Sequence, residues 1–324
     1  MAEKYYVGVD LGGTNIKAGV VTENAQVLVK TSMPTEADRG ADHIFERICG
    51  AVSGLMEECG LRRDEIGGIG VGSPGTLDTR AGVVHFAPNM PLWSNVNVVE
   101  RVCDGTSIKT VLENDANAAA YGEFWAGAGQ GVSSIVMFTL GTGIGGGIIA
   151  NGRLIHGTTD CAGELGHMVI EVQGRKCACG NWGCLEAYAS ADSLARRFRE
   201  AVAAGGDSVL AEDVRQGRPV DARAVCDAAL AGDKLAHRIF WETGLYLGVG
   251  IVNVMHTINP ARVIISGGLI KAGDLLMRPI RETVEKRALP DAQRHCDIMF
   301  ASLGEDAGFI GGAGCALAAF GISQ

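Results

Sequence analysis

One pattern occurs twice in this chain, and it restricts the fold more than any other feature. YYVGVDLGGTNIKAGVVTENAQVLV at 5–29 and SSIVMFTLGTGIGGGIIANGRLI at 133–155 run in the same order. Each has an apolar strand, a Leu-Gly-rich turn carrying Thr, a second apolar strand, a polar turn and a third strand. The repeat predicts two domains built on one plan, each with a glycine turn. Two such turns facing each other would make a cleft.

The rest of the chain fits an α/β protein. Ile44, Phe45, Ile48, Val52, Leu55 and Met56 share one helical face over 42–59. The strand IGGIGVGS runs into the turn PGTLD, and the strand TVLEN at 110–114 runs into the helical NAAAYGEFWAG. Helical patterns cover 192–204, 221–231, 233–256 and 273–287, with the strand RVIISGG before the last. The tail GEDAGFIGGAGCALAAFG reads as a turn entering a small-residue helix.

A net charge of −9, without a dense Lys/Arg stripe, argues against nucleic acid as a partner. ArgPheArg at 197–199 sits among Ala and Leu and reads as one face of a solvated helix. No apolar run is long enough to span a membrane. The start MAEKYYVGVD lacks the pattern of a signal peptide, so the ten cysteines are expected in a reducing cytoplasm.

Four groups of residues carry chemistry. Asp10 ends the first strand and opens the loop Gly12-Gly13-Thr14-Asn15-Ile16-Lys17. It suits either Mg²⁺ beside phosphates or a turn-starting Asp that bonds its own backbone. Thr14 and Lys17 suit phosphate oxygens. The second turn, Gly141-Thr142-Gly143-Ile144-Gly145-Gly146, matches the dinucleotide spacing, but a strand and an Asn-Gly hairpin follow where that fingerprint needs a helix. Its bare amides and Thr142 point instead to a phosphate-wrapping hairpin. Asn114-Asp115, between strand and helix, suits a helix cap, a general base for an alcohol, or one of each.

The fourth group is CACGNWGCLE at 177–186. Cys177, Cys179 and Cys184 with His167 supply the Cys₃His set of a structural zinc site. Gly180 and Gly183 allow the tight return of the chain. The Cys-x-Cys spacing does not fit a Cys-x-x-Cys redox pair.

Together these stretches resemble the ROK family of sugar kinases and repressors, especially its glucokinases. DLGGTNIKAGV, LENDANAAAYGE, LGTGIGGGI and AGELGH followed by CACGNWGCLE carry the resemblance. It implies the duplicated actin/hexokinase-like (ribonuclease H-like) α/β fold. We expect a smaller domain over 1–117 plus 306–324 and a larger one over 118–305, closing on ATP and a sugar. It implies Asp115 as the base that takes the proton of the sugar 6-hydroxyl. Asn114, Glu164, His167, Glu186, Gly75 and Asn89 are implied as sugar contacts. Gly267 and Gly268 in ISGGL and Gly312 in GGAG join Asp10, Gly12, Gly13, Thr14, Asn15, Lys17, Thr142 and Gly143 on the nucleotide side.

The implied ligands are glucose or a related hexose (N-acetylmannosamine, allose or fructose), ATP with Mg²⁺, and a structural Zn²⁺ on His167, Cys177, Cys179 and Cys184. The lack of a basic track favours ATP over polyphosphate. The family's repressors carry an N-terminal DNA-binding domain, for which the first strand leaves no room here. By analogy the chain forms a dimer or tetramer.

Overall fold

The computed structural model describes residues 4–87, 90 and 93–321. The chain opens with β1 (Tyr5–Leu11), β2 (Asn15–Thr22) and β3 (Val27–Pro34), followed by α1 (Ala41–Cys59) and β4 (Ile66–Ser73). The short strands β5 (Thr76–Asp78), β6 (Val83–Phe86) and β7 (Ser94–Asn97) form a separate antiparallel sheet, and α2 (Val98–Thr106) leads to β8 (Thr110–Asn114) and α3 (Asp115–Ala126). The repeat begins at β9 (Ile135–Leu140), β10 (Ile144–Ala150) and β11 (Arg153–Leu154). Then come α4 (Glu186–Ala189), α5 (Ala191–Ala203), α6 (Ala211–Arg215), α7 (Ala222–Leu230) and α8 (Lys234–Thr257). The chain ends with β12 (Arg262–Gly267), α9 (Asp274–Arg287), α10 (Pro290–Arg294), β13 (Asp297–Phe300) and α11 (Ala307–Phe320). None of the described helices is long and apolar enough to cross a membrane.

The duplication is visible in the sheets. One has the order β3-β2-β1-β4-β8 and the other β11-β10-β9-β12-β13. In the first, β1 pairs antiparallel with β2 and parallel with β4, and β4 pairs parallel with β8. In the second, β12 lies parallel between β9 and β13. β1, β2, β4 and β9 are buried along nearly their whole length, as strands covered on both faces require, whereas the edge strand β3 alternates half-buried and exposed residues.

The chain divides into two compact units, 1–132 with 147–163 and 301–324, and 133–146 with 164–300. The sequence boundary at 117/118 falls inside α3, which lies whole in the first unit. The first unit also takes the segment 147–163.

In the first unit, α1 buries Ile44, Phe45, Ile48, Val52, Leu55 and Met56 against the sheet, as its periodicity predicts. The opposite face is covered by α11, whose approach depends on glycine. A Cβ on Gly8 would stand 1.6 Å from the Phe309 carbonyl oxygen, and one on Gly70 would stand 1.8 Å from that of Gly312. One on Gly311 would stand 1.6 Å from the Ala118 oxygen of α3. The buried Glu123 carboxylate of α3 accepts hydrogen bonds from the Ala128, Ser302 and Leu303 backbone N–H groups, so it ties the start of this tail to α3.

In the second unit, α5 corrects the reading of 197–199 as a solvated face. Arg197 is only 5% exposed. Its guanidinium donates to the Ile239 carbonyl and the Thr243 hydroxyl and pairs with Glu242, all on α8. Partners supplied by another helix, and the Tyr246 ring beneath it, allow a charged group to be buried there.

The close packing gives a paired prediction. Gly311→Ala should lower the unfolding free energy by at least about 3 kcal/mol, because backbone must move to admit the methyl group. Gly50→Ala, with open space around the same atom in α1, should instead raise it by roughly 0.5–1 kcal/mol. Urea titrations of both variants check the contrast.

Candidate active site

The residues expected at the site divide between the two units. Asp10, Gly12, Gly13, Thr14, Asn15, Lys17, Gly75, Asn114, Asp115 and Gly312 lie in the first. Thr142, Gly143, Glu164, His167, Cys177, Cys179, Cys184, Glu186, Gly267 and Gly268 lie in the second. Asn89 lies outside the described residues.

In the first unit, the parallel strands bring the acidic residues to one edge. Asp10 of β1 is in register with Gly72 of β4, and Gly72 with Glu113 of β8. All three positions are at the C-terminal ends of their strands, where open α/β sheets bind ligands. Asn114 caps α3: its Oδ1 accepts from the Ala116 and Asn117 N–H groups at 3.0 and 3.2 Å. That leaves its amide nitrogen, which lies beside the Asp115 carboxylate. The Ala116 N–H also donates to Asp115 Oδ1 at 2.8 Å and fixes that side chain. The cap and base readings of Asn114-Asp115 are therefore compatible, one residue for each.

Burial raises the Asp115 carboxyl above the usual carboxylate range, against the pull of the Ala116 N–H and the Asn114 amide. Burial, and then the charge of Asp115, push Asp10 up to about 6, against the opposing Lys17. A buried carboxyl whose proton affinity is raised further by a neighbouring carboxyl makes a place for a cation. Gly308 of α11 packs against this carboxyl, and a Cβ there would stand 2.6 Å from the Asp10 carboxyl carbon.

The first glycine turn is closed by Gly12 N–H to the Asn15 carbonyl at 2.9 Å and leaves Thr14 and Asn15 exposed. Lys17 pairs with Glu305 at 2.8 Å. Gly75 has a φ of 104° and sits where a Cβ would be 2.0 Å from the Phe86 carbonyl oxygen. Gly312, expected on the nucleotide side, is buried in α11 against Gly70 and Gly8.

Sequence reasoning missed two residues of this unit. Glu113, 5% exposed, accepts from the Asn114 N–H at 2.9 Å, Asn117 Nδ2 at 3.0 Å and His156 Nε2 at 2.7 Å. This last bond raises the His156 pKa, against burial. An acid at the end of an otherwise apolar strand, inside LENDANAAAYGE, was the available signal.

The second unit gathers the metal candidates and the second glycine turn. His167, Cys177, Cys179 and Cys184 present ligand atoms all within 4.8 Å of one another, so they could hold a metal ion. His167 turns Nδ1 toward Cys177 Sγ at 3.8 Å and Nε2 toward Glu164 Oε2 at 3.8 Å. Glu186 reaches from this loop to the glycine turn: its Oε2 accepts from the Ile144 N–H at 2.9 Å. Gly143 and Gly166 permit this packing, with added Cβ atoms 2.5 Å from Glu186 Oε2 and 2.3 Å from the Ile144 oxygen.

At the C-terminal ends of β9 and β12, Leu140 is in register with Gly267. A cavity of about 890 Å³ opens there, lined by Gly141, Thr142, Gly268, Leu269 and Lys271 and by the facing sides of α5 and α7. That volume suits a nucleotide-sized ligand. The lining includes Arg196 and Arg223, which sequence reasoning did not single out, and Arg199, which it read as part of a solvated face.

The raised Asp10 has a consequence for stability. Its folded pKa of about 6 exceeds the ordinary 3.8, so its contribution to stability is complete below about pH 3.8 and is lost as pH rises through about 6. In Mg²⁺-free buffer, the stabilising effect of Asp10→Asn is expected to be greater at pH 7.5 than at pH 4.5, by roughly 2 kcal/mol. Paired urea titrations measure it, and an equal effect at both pH values would contradict it.

The ROK family model matches residues 6–319. The chain is 38% identical to the glucokinase of Halalkalibacterium halodurans, over 96% of this chain and 94% of that protein. A ROK family glucokinase from Streptomyces griseus, solved in complex with glucose and AMPPNP, aligns with a TM-score of 0.77 and 34% identity, over 95% of this chain and 98% of that one. The ROK hexokinase of Thermus thermophilus aligns with a TM-score of 0.80 and 33% identity, over 95% and 96% of the two chains. The α/β architecture is the duplicated actin/hexokinase-like one that the family resemblance implies. With that plan in both sheets and a match along nearly its whole length, this chain belongs to the ROK family.

Proposed function

We propose that this protein is an ATP-dependent glucose kinase that transfers the γ-phosphoryl group of ATP to the sugar 6-hydroxyl. The observation that carries the chemistry is Asp115, a carboxyl of raised proton affinity fixed by the first turn of α3. A base for an alcohol works best when its pKa is moved toward the working pH and its position is set in advance. Glucose as the acceptor is supported by the glucokinase similarity along nearly the full chain.

In this reading Asp115 orients the 6-hydroxyl and takes its proton as the phosphoryl group transfers. Asn114, with its oxygen spent on the helix cap, offers its amide nitrogen to sugar oxygens. Asp10 is the carboxylate suited to hold Mg²⁺, directly or through water. That ion supplies neutralisation of phosphate charge, which dominates phosphoryl transfer. The cavity between α5, α7 and the second glycine turn takes the nucleotide, with Thr142 and Gly268 on its rim.

The Cys₃His cluster fits zinc. A tetrahedral zinc with Zn–S bonds near 2.3 Å has sulfur–sulfur edges of about 3.8 Å. The Cys179–Cys184 Sγ separation is 3.8 Å. Zinc held by Cys177, Cys179, Cys184 and His167 Nδ1 would fix His167 Nε2 as an N–H donor beside Glu164. Glu164 and His167 then hold sugar hydroxyls, while Glu186 joins the metal loop to the glycine turn. Ten unbridged cysteines suit a reducing cytoplasm.

A coupled assay over a hexose panel should give glucose the highest kcat/KM with ATP. Asp115→Asn should fold, bind glucose and lose about a thousandfold in kcat; retained turnover would remove Asp115 from the role. Elemental analysis should find one zinc per chain, and Cys184→Ser should lose it and raise the glucose KM at least about tenfold. A variant that lost zinc but kept its KM would separate the metal from the sugar site.

A further inference from the structure

Glu113 is the best-connected side chain next to the proposed base, and neither the cap nor the proton transfer uses it. It is the last residue but one of β8, in register with Gly72, and its carboxylate is buried. All three of its hydrogen-bond partners donate: the Asn114 N–H, Asn117 Nδ2 and His156 Nε2. Asn114 and Asn117 flank Asp115, and both lie in or beside the first turn of α3. One carboxylate thus grips the residue before the base and a residue one half-turn after it.

Asn117 reports which demand is being met. Its nitrogen faces Glu113, and its Oδ1 is buried with no hydrogen-bond partner. The reverse orientation would set oxygen against the Glu113 carboxylate. The amide leaves its own acceptor unsatisfied in order to serve Glu113, a cost seldom met in folded proteins without a purpose.

His156 is equally constrained. It lies in the segment after β11, where the Ala162 N–H donates to the His156 carbonyl at 3.0 Å. Four residues on, Asp160 accepts from the Thr79 N–H and hydroxyl, both at 3.0 Å, at a φ of 55°. The segment is therefore pinned to the loop after β5, and the imidazole is delivered to Glu113 rather than left to find it.

We propose that Glu113, held by His156, is a positioning residue for the reaction: it locks the Asn114 backbone and the first turn of α3, so that the Asp115 carboxylate and the Asn114 amide keep the orientation that transfer requires. This rests on the assignment of Asp115 as the base. Glu113 touches neither substrate in this scheme; it acts through the residues on either side of the base. A rigid supporting shell of this kind matters because small displacements of a catalytic group cost large factors in rate.

The test uses the full-length enzyme with saturating glucose and Mg·ATP. Glu113→Ala should lower kcat about 100-fold, with the KM for ATP within threefold of the parent. Glu113→Gln should recover most of the loss, because a glutamine oxygen still accepts from Asn114 and Asn117 and its amide can donate to the other His156 tautomer. His156→Ala, at a more exposed position that leaves the strand intact, should lower kcat about tenfold with an unchanged KM for ATP. Should Glu113→Ala not fold, the His156→Ala and Glu113→Gln pair decides. A kcat unchanged in His156→Ala, or a Gln variant no better than Ala when both fold, overturns the proposal. Asp115→Asn run beside them separates the two ideas: full turnover there sinks the base assignment itself, whereas its loss together with an unaffected His156→Ala sinks only the role of Glu113.

Discussion

The first unit depends on how closely α11 approaches the sheet and α3. Backbone meets backbone at Gly8, Gly70 and Gly311, where any side chain would overlap a carbonyl oxygen. Glycine is a poor helix former, and a helix with several of them would not persist alone. Here the loss is offset by contact at backbone distance, with Phe309, Ile310, Ala313 and Ala316 buried alongside. Because α3 is seated by the same contact, its first turn is delivered to the C-terminal edge of β1 and β8. Asp10, Glu113 and Asp115 meet there for that reason.

The second unit uses the same edge of an equivalent sheet with different chemistry. Its parallel strands end at the second glycine turn and at Gly267, and the cavity opens at that end. Beside the turn, a polar loop with little apolar content of its own surrounds the cysteine cluster. Such a loop has few ways to become rigid by burial, and a bound metal would supply the cross-link. Glu186 and the glycines at 143 and 166 carry that rigidity into the turn. Duplication therefore yielded one scaffold and two local specialisations.

The fold was largely legible in the sequence because its signals are local. The apolar strand runs, the α1 periodicity, the helix start beside Asn114-Asp115 and the repeated turn all depend on neighbours a few residues apart. The short sheet β5-β6-β7 went unread, since strands of three or four residues carry too little periodicity. Arg197 was misread for a related reason: what buries it is a carbonyl, a hydroxyl and a carboxylate on α8, more than forty residues away. In the site, the cysteine spacing and the Asn-Asp pair were legible. The clasp of Glu113 by His156 was not, because nothing near either residue signals the other.

The sequence by itself determined the doubled strand–turn plan, the donor set of the cysteine loop and the acid that starts α3. Each follows from residue type and short spacing, which limit what the backbone can do locally. Only the tertiary structure decided what those groups face. It set Asp10 against Asp115, turned the two nitrogens of His167 in different directions, spent Glu186 on the Ile144 amide and made Gly312 a packing residue. Apart from the contacts of His167, which lie within ten residues, these join segments distant in sequence. They are chosen by the closeness of packing, and a one-dimensional pattern does not encode that distance.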